Sequence, residues 1–480
     1  MLVEELKELV RHTMAMKAEG QTLEVKAAHG GYPRRLYDTL SSFSNQDAGG
    51  TILFGIDEAA GFSLAGVYDL QDLQKQVTNQ CNQMQPPTRA VFTEVEMDGK
   101  WVCAAEIPGL DLSERPCYYK GAGRVDGSYV RVGDADLKMT DYELYRLEAF
   151  RKHLHDDERP VERASMDMLD MDRVDDYVRK NRIARPKFAQ LSEQQAYASL
   201  HLTQNGVPTL AALMNFGIYP QGLFPQLAVT AVVVPGTAIG DTASDGARFL
   251  DNKRIEGTLL EMLEESIAFC ARNMKARTII DLKTGRHAER TEYPLGAIRE
   301  AILNALIHRD YSRYTEGTPV QIDFFTDRLE IRSPGGLYGR MTVEQLGIEH
   351  PDLRNPALAV MAETLLGAEN RFSGIPTIRR EMAEYGLPEP LFQNLRNEFV
   401  VTLYNRAQEG VAGCVEGTPE RNGLLAYCKT PRTRQEIAAH LGIQPTAYMM
   451  KRYIQPLLAT GVLKMTIPEK PRSRNQKYYA

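Results

Sequence analysis

The sequence predicts a multidomain chain of mixed α/β (α+β) class. Three observations lead there. The chain has 480 residues, room for about three domains at roughly 150 residues each. Hydrophobic residues make up 43% and charged residues 25%, an ordinary globular balance that excludes wholesale disorder. Short β-rich runs alternate along the chain with segments of helical period. The boundaries fall at 1–147, 148–290 and 291–406, followed by a linker at 407–422 and a last module at 423–480.

The first stretch, MLVEELKELVRHTMAMKAEG, reads as an amphipathic helix without the continuous apolar core of a signal peptide. No run approaches the roughly 20 apolar residues that span a bilayer. The cysteines (Cys81, Cys103, Cys117, Cys270, Cys414, Cys428) are scattered, which argues against a zinc finger or a disulfide framework. The expectation is a cytoplasmic protein with no membrane partner. Leu36–Ser44 reads as a helix and Thr51–Asp57 as a buried strand. Val91–Met97 and Trp101–Ile107 flank Asp98-Gly99, a hairpin signal because that dipeptide tolerates positive φ. Tyr118–Arg124 and Ser128–Val132 read as a second hairpin, and the lone Trp101 as a core residue.

In the next segment Asp170–Asn181 and Ser192–Leu202 have helical period, Gln226–Val234 is a β-branched strand, and Asn252–Asn273 reads as one long helix. Asp241–Gly246 is a loop by composition. Further on, Pro294–His308 is helical, with Ile298, Ala301, Ile302 and Ala305 facing a core. Val320–Phe325, Arg328–Ser333 and Glu398–Asn405 are strands. On the 294–308 helix Glu300, Asn304 and His308 fall at i, i+4 and i+8, one stripe of one face. An amide and a carboxylate one turn apart suit a magnesium–phosphate site: the amide oxygen ligates the cation and the carboxylate orients a water. Gly335-Gly336 follows a strand, and Arg371-Phe-Ser373-Gly374 opens a helix; backbone N–H groups at such turns can cradle phosphate.

Net charge is 57 − 63 = −6, which taken whole points away from nucleic acid. From Glu420 to Ala480, however, eleven Lys/Arg stand against three Asp/Glu, so that segment carries +8 and the rest −14. An acidic body with a basic tail marks a tethered binding module. Within it, 434–441 reads as a short helix, Gly442 as a turn and 446–460 as a second helix, followed by two strands around a basic loop.

That order resembles a winged helix-turn-helix. The resemblance implies DNA as partner, with Tyr448, Lys451 and Arg452 facing the major groove and Lys470, Arg472, Arg474 and Lys477 on the phosphates. A homodimer would suit paired half-sites. The stretches GVPTLAALMNFGIYPQGLFP, YPLGAIREAILNALIHRDY and DRLEIRSPGGL are similar to bacterial predicted transcriptional regulators with a divergent GHKL (Bergerat-type) ATP-binding domain, an α/β sandwich. This implies ATP and magnesium as cofactors. Glu300 and Asn304 take the places of the Glu and the magnesium-binding Asn of the first motif, Gly335 and Gly336 the first glycine box, and Ser373-Gly374 the second. The Asp that usually reads adenine is replaced around Ser333. With no G-x-x-x-x-G-K-[ST] loop, helicase action is disfavoured.

At the N-terminus, Glu19–Lys26 and Gly49–Asp57 resemble the AlbA-like domain shared with Schlafen proteins, which implies a second nucleic-acid contact. Arg34, Arg35, Lys120, Arg124 and Arg131 are the candidates to meet a nucleic-acid backbone. The overall expectation is a DNA-binding transcriptional regulator with a nucleotide-responsive body. Two enzymatic alternatives stay open: a GHKL-type ATPase using Glu300, and a Schlafen-type metal-dependent nuclease using Glu19, Glu24 and Asp57.

Overall fold

The computed structural model describes residues 1–280, 287–367, 373–406, 427–428, 430, 432–433, 436–437, 454, 463–466 and 477–479. The chain divides into two compact units, Met1–Asn405 and Arg406–Ala480, and the described residues are mixed α/β. No helix among the described residues is long and apolar enough to cross a membrane.

The first unit opens with helix α1 (Val3–Met16) and strand β1 (Leu23–Lys26), then α2 (Tyr37–Ser44), β2 (Gly50–Phe54), α3 (Leu70–Asn82) and the hairpin β3 (Val91–Met97) to β4 (Lys100–Ile107). The strands form one sheet in the order β1-β2-β4-β3, with β1 and β2 parallel at Leu23↔Thr51. Alternation along β2 sends Ile52 and Phe54 into a core with Leu40, Phe43 and Leu73, while Leu53 joins Leu6 and Val10 of α1 on the opposite face. Helices therefore cover both sides of the sheet. Asp98 and Gly99 take positive φ at the β3–β4 turn, as the dipeptide requires.

Several sequence expectations change here. The expected 51–57 strand breaks at Gly55, leaving Ile56–Asp57 paired with Ser63–Leu64. The second hairpin is built differently: Tyr118–Tyr119 pairs with Met84–Gln85, and β5 (Tyr129–Val132) pairs with β6 (Ala135–Lys138). Trp101 is 43% exposed instead of core.

Helix α4 (Asp141–Lys152), closed by a Thr140–Glu143 capping box, leads into a helical layer of α5 (Met171–Ala184), α6 (Glu193–Ser199) and α7 (Leu210–Phe216). Next come β7 (Val229–Val233) and β8 (Asp251–Ile255), then α8 (Leu259–Asn273). The first part of the expected 252–273 helix is thus an edge strand. The helix starts only after Gly257, at the Thr258–Glu261 capping box. A hairpin of β9 (Ala276–Ile280) and β10 (His287–Thr291) precedes α9 (Leu295–Ile307). The unit closes with β11 (Val320–Phe324), β12 (Arg328–Pro334), α10 (Pro356–Leu365), α11 (Gly374–Glu384), β13 (Leu391–Asn394) and β14 (Glu398–Tyr404).

Six of these strands make one sheet in the order β8-β7-β11-β12-β14-β13, antiparallel except for β7 beside β11. Helix α9 lies on it between α8 and α11. It is buried on nearly every side, which matches its almost wholly apolar sequence. In the second unit Arg432–Thr433, Lys464–Met465 and Lys477–Tyr479 form a three-stranded sheet with the Lys477 strand at its centre. The last two flank the expected basic loop. Thr433 accepts from the Glu436 N–H at 3.2 Å while its own N–H donates to the Glu436 carboxylate at 2.8 Å, a capping box.

Candidate functional site

One cavity gathers most of the residues singled out in the 291–406 segment. Helix α9 turns Ile298, Ala301 and Ile302 into the core, and its neighbouring stripe delivers Glu300, Asn304 and His308 to the cavity wall. The end of β12 brings Ser333, Gly335 and Gly336, and the start of α11 brings Gly374. Ile331, Phe399 and Val401 of the sheet form an apolar floor, and the segment 337–354 closes the far side. Ser373 sits just outside the lining, as the residue preceding α11.

Close approaches explain the glycines. A Cβ on Gly374 would lie 2.3 Å from Glu300 Oε1 and 2.9 Å from Asn304 Nδ2, so a larger residue there would push the ends of those two side chains aside. Gly335 has φ +88°, and a Cβ there would meet Arg354 Nη1 and Asp310 Cβ, each at 2.5 Å. Asn304 Nδ2 donates to Glu300 Oε1 at 3.2 Å. That bond uses one of the two amide N–H donors, and the amide oxygen is the end suited to a cation.

Ser333 is buried and donates its hydroxyl to the Ala305 carbonyl at 2.9 Å. Burial and the neighbouring Arg354 charge hold the His308 imidazole below its ordinary value, hence neutral at pH 7, although its ring stays open to the cavity. Burial works to raise Asp310; Arg354 and the hydrogen bonds from Tyr142 (2.6 Å) and the Ser312 N–H (2.8 Å) outweigh it and hold the carboxyl low.

Sequence reasoning assigned no role to Arg354, Asp310 or Tyr142. Tyr142 comes from α4, 168 positions before Asp310. Beside it Arg146 donates to the Leu337 carbonyl at 2.9 Å, and Arg340 of the cavity segment grips Asp111 through two bonds of 2.9 and 3.1 Å. No local pattern could announce such long-range partners.

The N-terminal carboxylates are arranged otherwise than expected. Arg131, its side chain 1% exposed, lies 2.8 Å from Glu24, 3.0 Å from Asp136 and 3.7 Å from Glu19. Lys26 also pairs with Glu24, and Glu19 accepts the Val25 N–H at 2.7 Å. Asp57 accepts instead from the Ala60 N–H at its own turn. Among the described residues no group of three or more His, Cys, Asp and Glu is placed to hold a metal. Two of the three carboxylates that were to hold one, Glu19 and Glu24, sit with Asp136 in an ion-pair knot around Arg131. Arg131 itself is a buried structural cation rather than a surface contact, and Arg124 is paired with Glu148 at 2.7 Å. Of the DNA-facing candidates, Lys477 begins the central strand of the C-terminal sheet. Tyr448, Lys451, Arg452, Lys470, Arg472 and Arg474 lie outside the described residues.

Comparison with known families gives three matches along the chain. Residues 19–140 match the family described as Schlafen, AlbA_2. Residues 317–403 match "Putative ATP-dependent DNA helicase recG C-terminal", an ATPase-like (HATPase_c) domain, and 422–479 match "Filamentation induced by cAMP protein Fic-like, C-terminal domain". These matches support an AlbA-like domain followed by an ATPase-like one; helix α9, with Glu300 and Asn304, precedes the second match. No curated protein matches. Among solved structures, the DIP2311 protein of Corynebacterium diphtheriae is 18% identical over 92% of this chain and 91% of its own, with a TM-score of 0.40. The N-terminal domain of a "Putative ATP-dependent DNA Helicase RecG-related Protein" from Nitrosomonas europaea is 24% identical over 28% of this chain and 93% of its own, with a TM-score of 0.23. Both scores are too low to transfer a fold.

Proposed function

We propose that the body of this chain binds a nucleotide, ATP with magnesium, in the cavity beside α9, and that its state is read by nucleic-acid-binding modules at either end. The chain would thus act as a DNA-binding transcriptional regulator. The convergence of Glu300, Asn304, Gly335, Gly336 and Gly374 on one cavity, in a segment that overlaps an ATPase-like match, is the observation that carries this reading.

The residues fit such a ligand. Gly335, Gly336 and Gly374 border the cavity; the Gly335 and Leu337 N–H groups are already donated to Asn397 and Asn394, so the backbone donors this reading assigns to phosphate are those at the start of α11. The Asn304 amide oxygen, with its nitrogen held by Glu300, would ligate magnesium, and the Glu300 carboxylate would orient a water. Magnesium, when bound, supplies charge neutralisation to the phosphates. Neutral His308 adds no charge of its own and serves as a hydrogen-bonding wall. The apolar floor of Ile331, Phe399 and Val401 suits a base.

The DNA reading rests on the +8 charge of the last 61 residues, eleven Lys/Arg less three Asp/Glu from Glu420 to Ala480. Deleting 408–480 should abolish specific duplex binding in a gel-shift assay; unchanged binding would remove the C-terminal module as reader. For the nucleotide, saturating ATP with magnesium should raise the unfolding temperature, by about 2.7 kcal/mol of added stability at a hundredfold excess over Kd. A midpoint indifferent to ATP refutes the ligand assignment.

A further inference from the structure

The cavity contains one cation whose surroundings are incomplete. Arg354 is 8% exposed and is the single Lys or Arg among the described residues that line the cavity, against the carboxylates of Glu300, Glu349 and Asp352. Its Nη2 donates to the Gly336 carbonyl at 2.7 Å and its Nη1 reaches the His308 carbonyl at 3.5 Å. Among the described residues it forms no ion pair; Asp310 acts on it through its field alone. The Tyr338 ring lies 5.2 Å from the guanidinium.

Burying a guanidinium costs several kcal/mol unless charge and hydrogen bonds compensate it. Arg309, a buried arginine away from the cavity, makes three carbonyl contacts. Its Nη2 serves both the Thr315 and Thr318 carbonyls, its Nε serves the Asp310 carbonyl, and it does not border the cavity. Arg354, by contrast, has two carbonyl contacts for five N–H donors. It also borders an open space whose other charged walls are negative. The glycine turn is shaped around it, since any Cβ at Gly335 would strike Nη1.

We infer that Arg354 receives the anionic group of the ligand, a phosphate of a nucleotide, at the glycine-turn end of the cavity. Tyr142 and Asp310 are its positioning residues: the tyrosine hydroxyl holds Asp310 at 2.6 Å, and Asp310 balances the guanidinium from the side away from the ligand. This inference rests on the nucleotide reading above and adds to it a named anion receptor.

The test is a calorimetric comparison of ADP, adenosine and pyrophosphate on the full-length chain and on Arg354→Gln and Arg354→Lys. A charge-assisted contact contributes roughly ten- to a hundredfold in affinity. The wild type should therefore bind ADP about that much more tightly than adenosine, and Arg354→Gln should bind both alike, at the adenosine level. Arg354→Lys should fall between. Equal losses for ADP and adenosine in Arg354→Gln would mean a structural role and overturn the inference. So would a wild type that does not distinguish the two ligands, a reading available even if the glutamine variant fails to fold. If the wild type binds pyrophosphate but neither ADP nor adenosine, the anion receptor stands and the nucleotide reading falls. Silence toward all three overturns both.

Discussion

Replacing Gly335 with alanine probes the cavity at the point where backbone and side chains constrain it most. Its φ of +88° lies where an L-residue is strained, at about 1–2 kcal/mol. The new methyl would stand 2.5 Å from Asp310 Cβ and from Arg354 Nη1. The first of these is fixed close to the backbone and cannot swing aside, so overpacking adds about 1–3 kcal/mol. Alanine also restricts the unfolded chain, returning about 0.4–1 kcal/mol. The net expectation is a loss of about 2–4 kcal/mol. For a unit that ends at Asn405, an unfolding entropy of ~0.85 kcal/mol per kelvin turns that into a fall of roughly 2–5 °C in Tm. Differential scanning calorimetry measures it, with Gly317→Ala as control, because nothing lies within 4 Å of a Cβ there. If Gly335→Ala unfolds at the wild-type temperature, the tight packing of the turn against Asp310 and Arg354 is wrong.

Arg131→Ala strands the Glu24, Asp136 and Glu19 carboxylates around a missing cation; it should cost about 3–5 kcal/mol in urea unfolding, and a loss below about 1 kcal/mol would contradict the ion-pair knot. Asp157 is fully buried, with Oδ2 accepting the Leu358 N–H at 2.9 Å and Oδ1 without a partner among the described residues. Burial pushes its carboxyl up to about 7 from 3.8. A raised folded value means the neutral form is favoured, so its contribution is complete below 3.8 and declines as pH rises toward 7. The wild type should lose roughly 2–4 kcal/mol relative to Asp157→Asn between pH 4 and pH 8; parallel stability profiles would refute this.

The stripe of Glu300, Asn304 and His308 was legible because helical period is local information, and the cavity wall receives all three. The glycines were legible as turns. Their reason, the approach of Arg354 and of the Glu300–Asn304 pair, depends on residues distant in sequence. Asp251–Ile255 misled because a short polar edge strand ran on into a helix with no proline between them. Its strand state comes from pairing with β7. Glu19, Glu24 and Asp57 had a suggestive spacing, and nothing in that spacing disclosed that Arg131 would fold back between two of them. Burial of an arginine, like the reach of Tyr142 to Asp310, is set by tertiary packing that no local window contains.

In the proposed reading Glu300, Asn304 and the glycine turns form a magnesium-dependent nucleotide site. Isothermal calorimetry of ATP with and without magnesium, on the wild type and on Asn304→Ala, decides it. One ATP per chain should bind the wild type, with affinity lowered at least tenfold by removing magnesium or the Asn304 amide. No heat from the wild type, or binding indifferent to both changes, would contradict it.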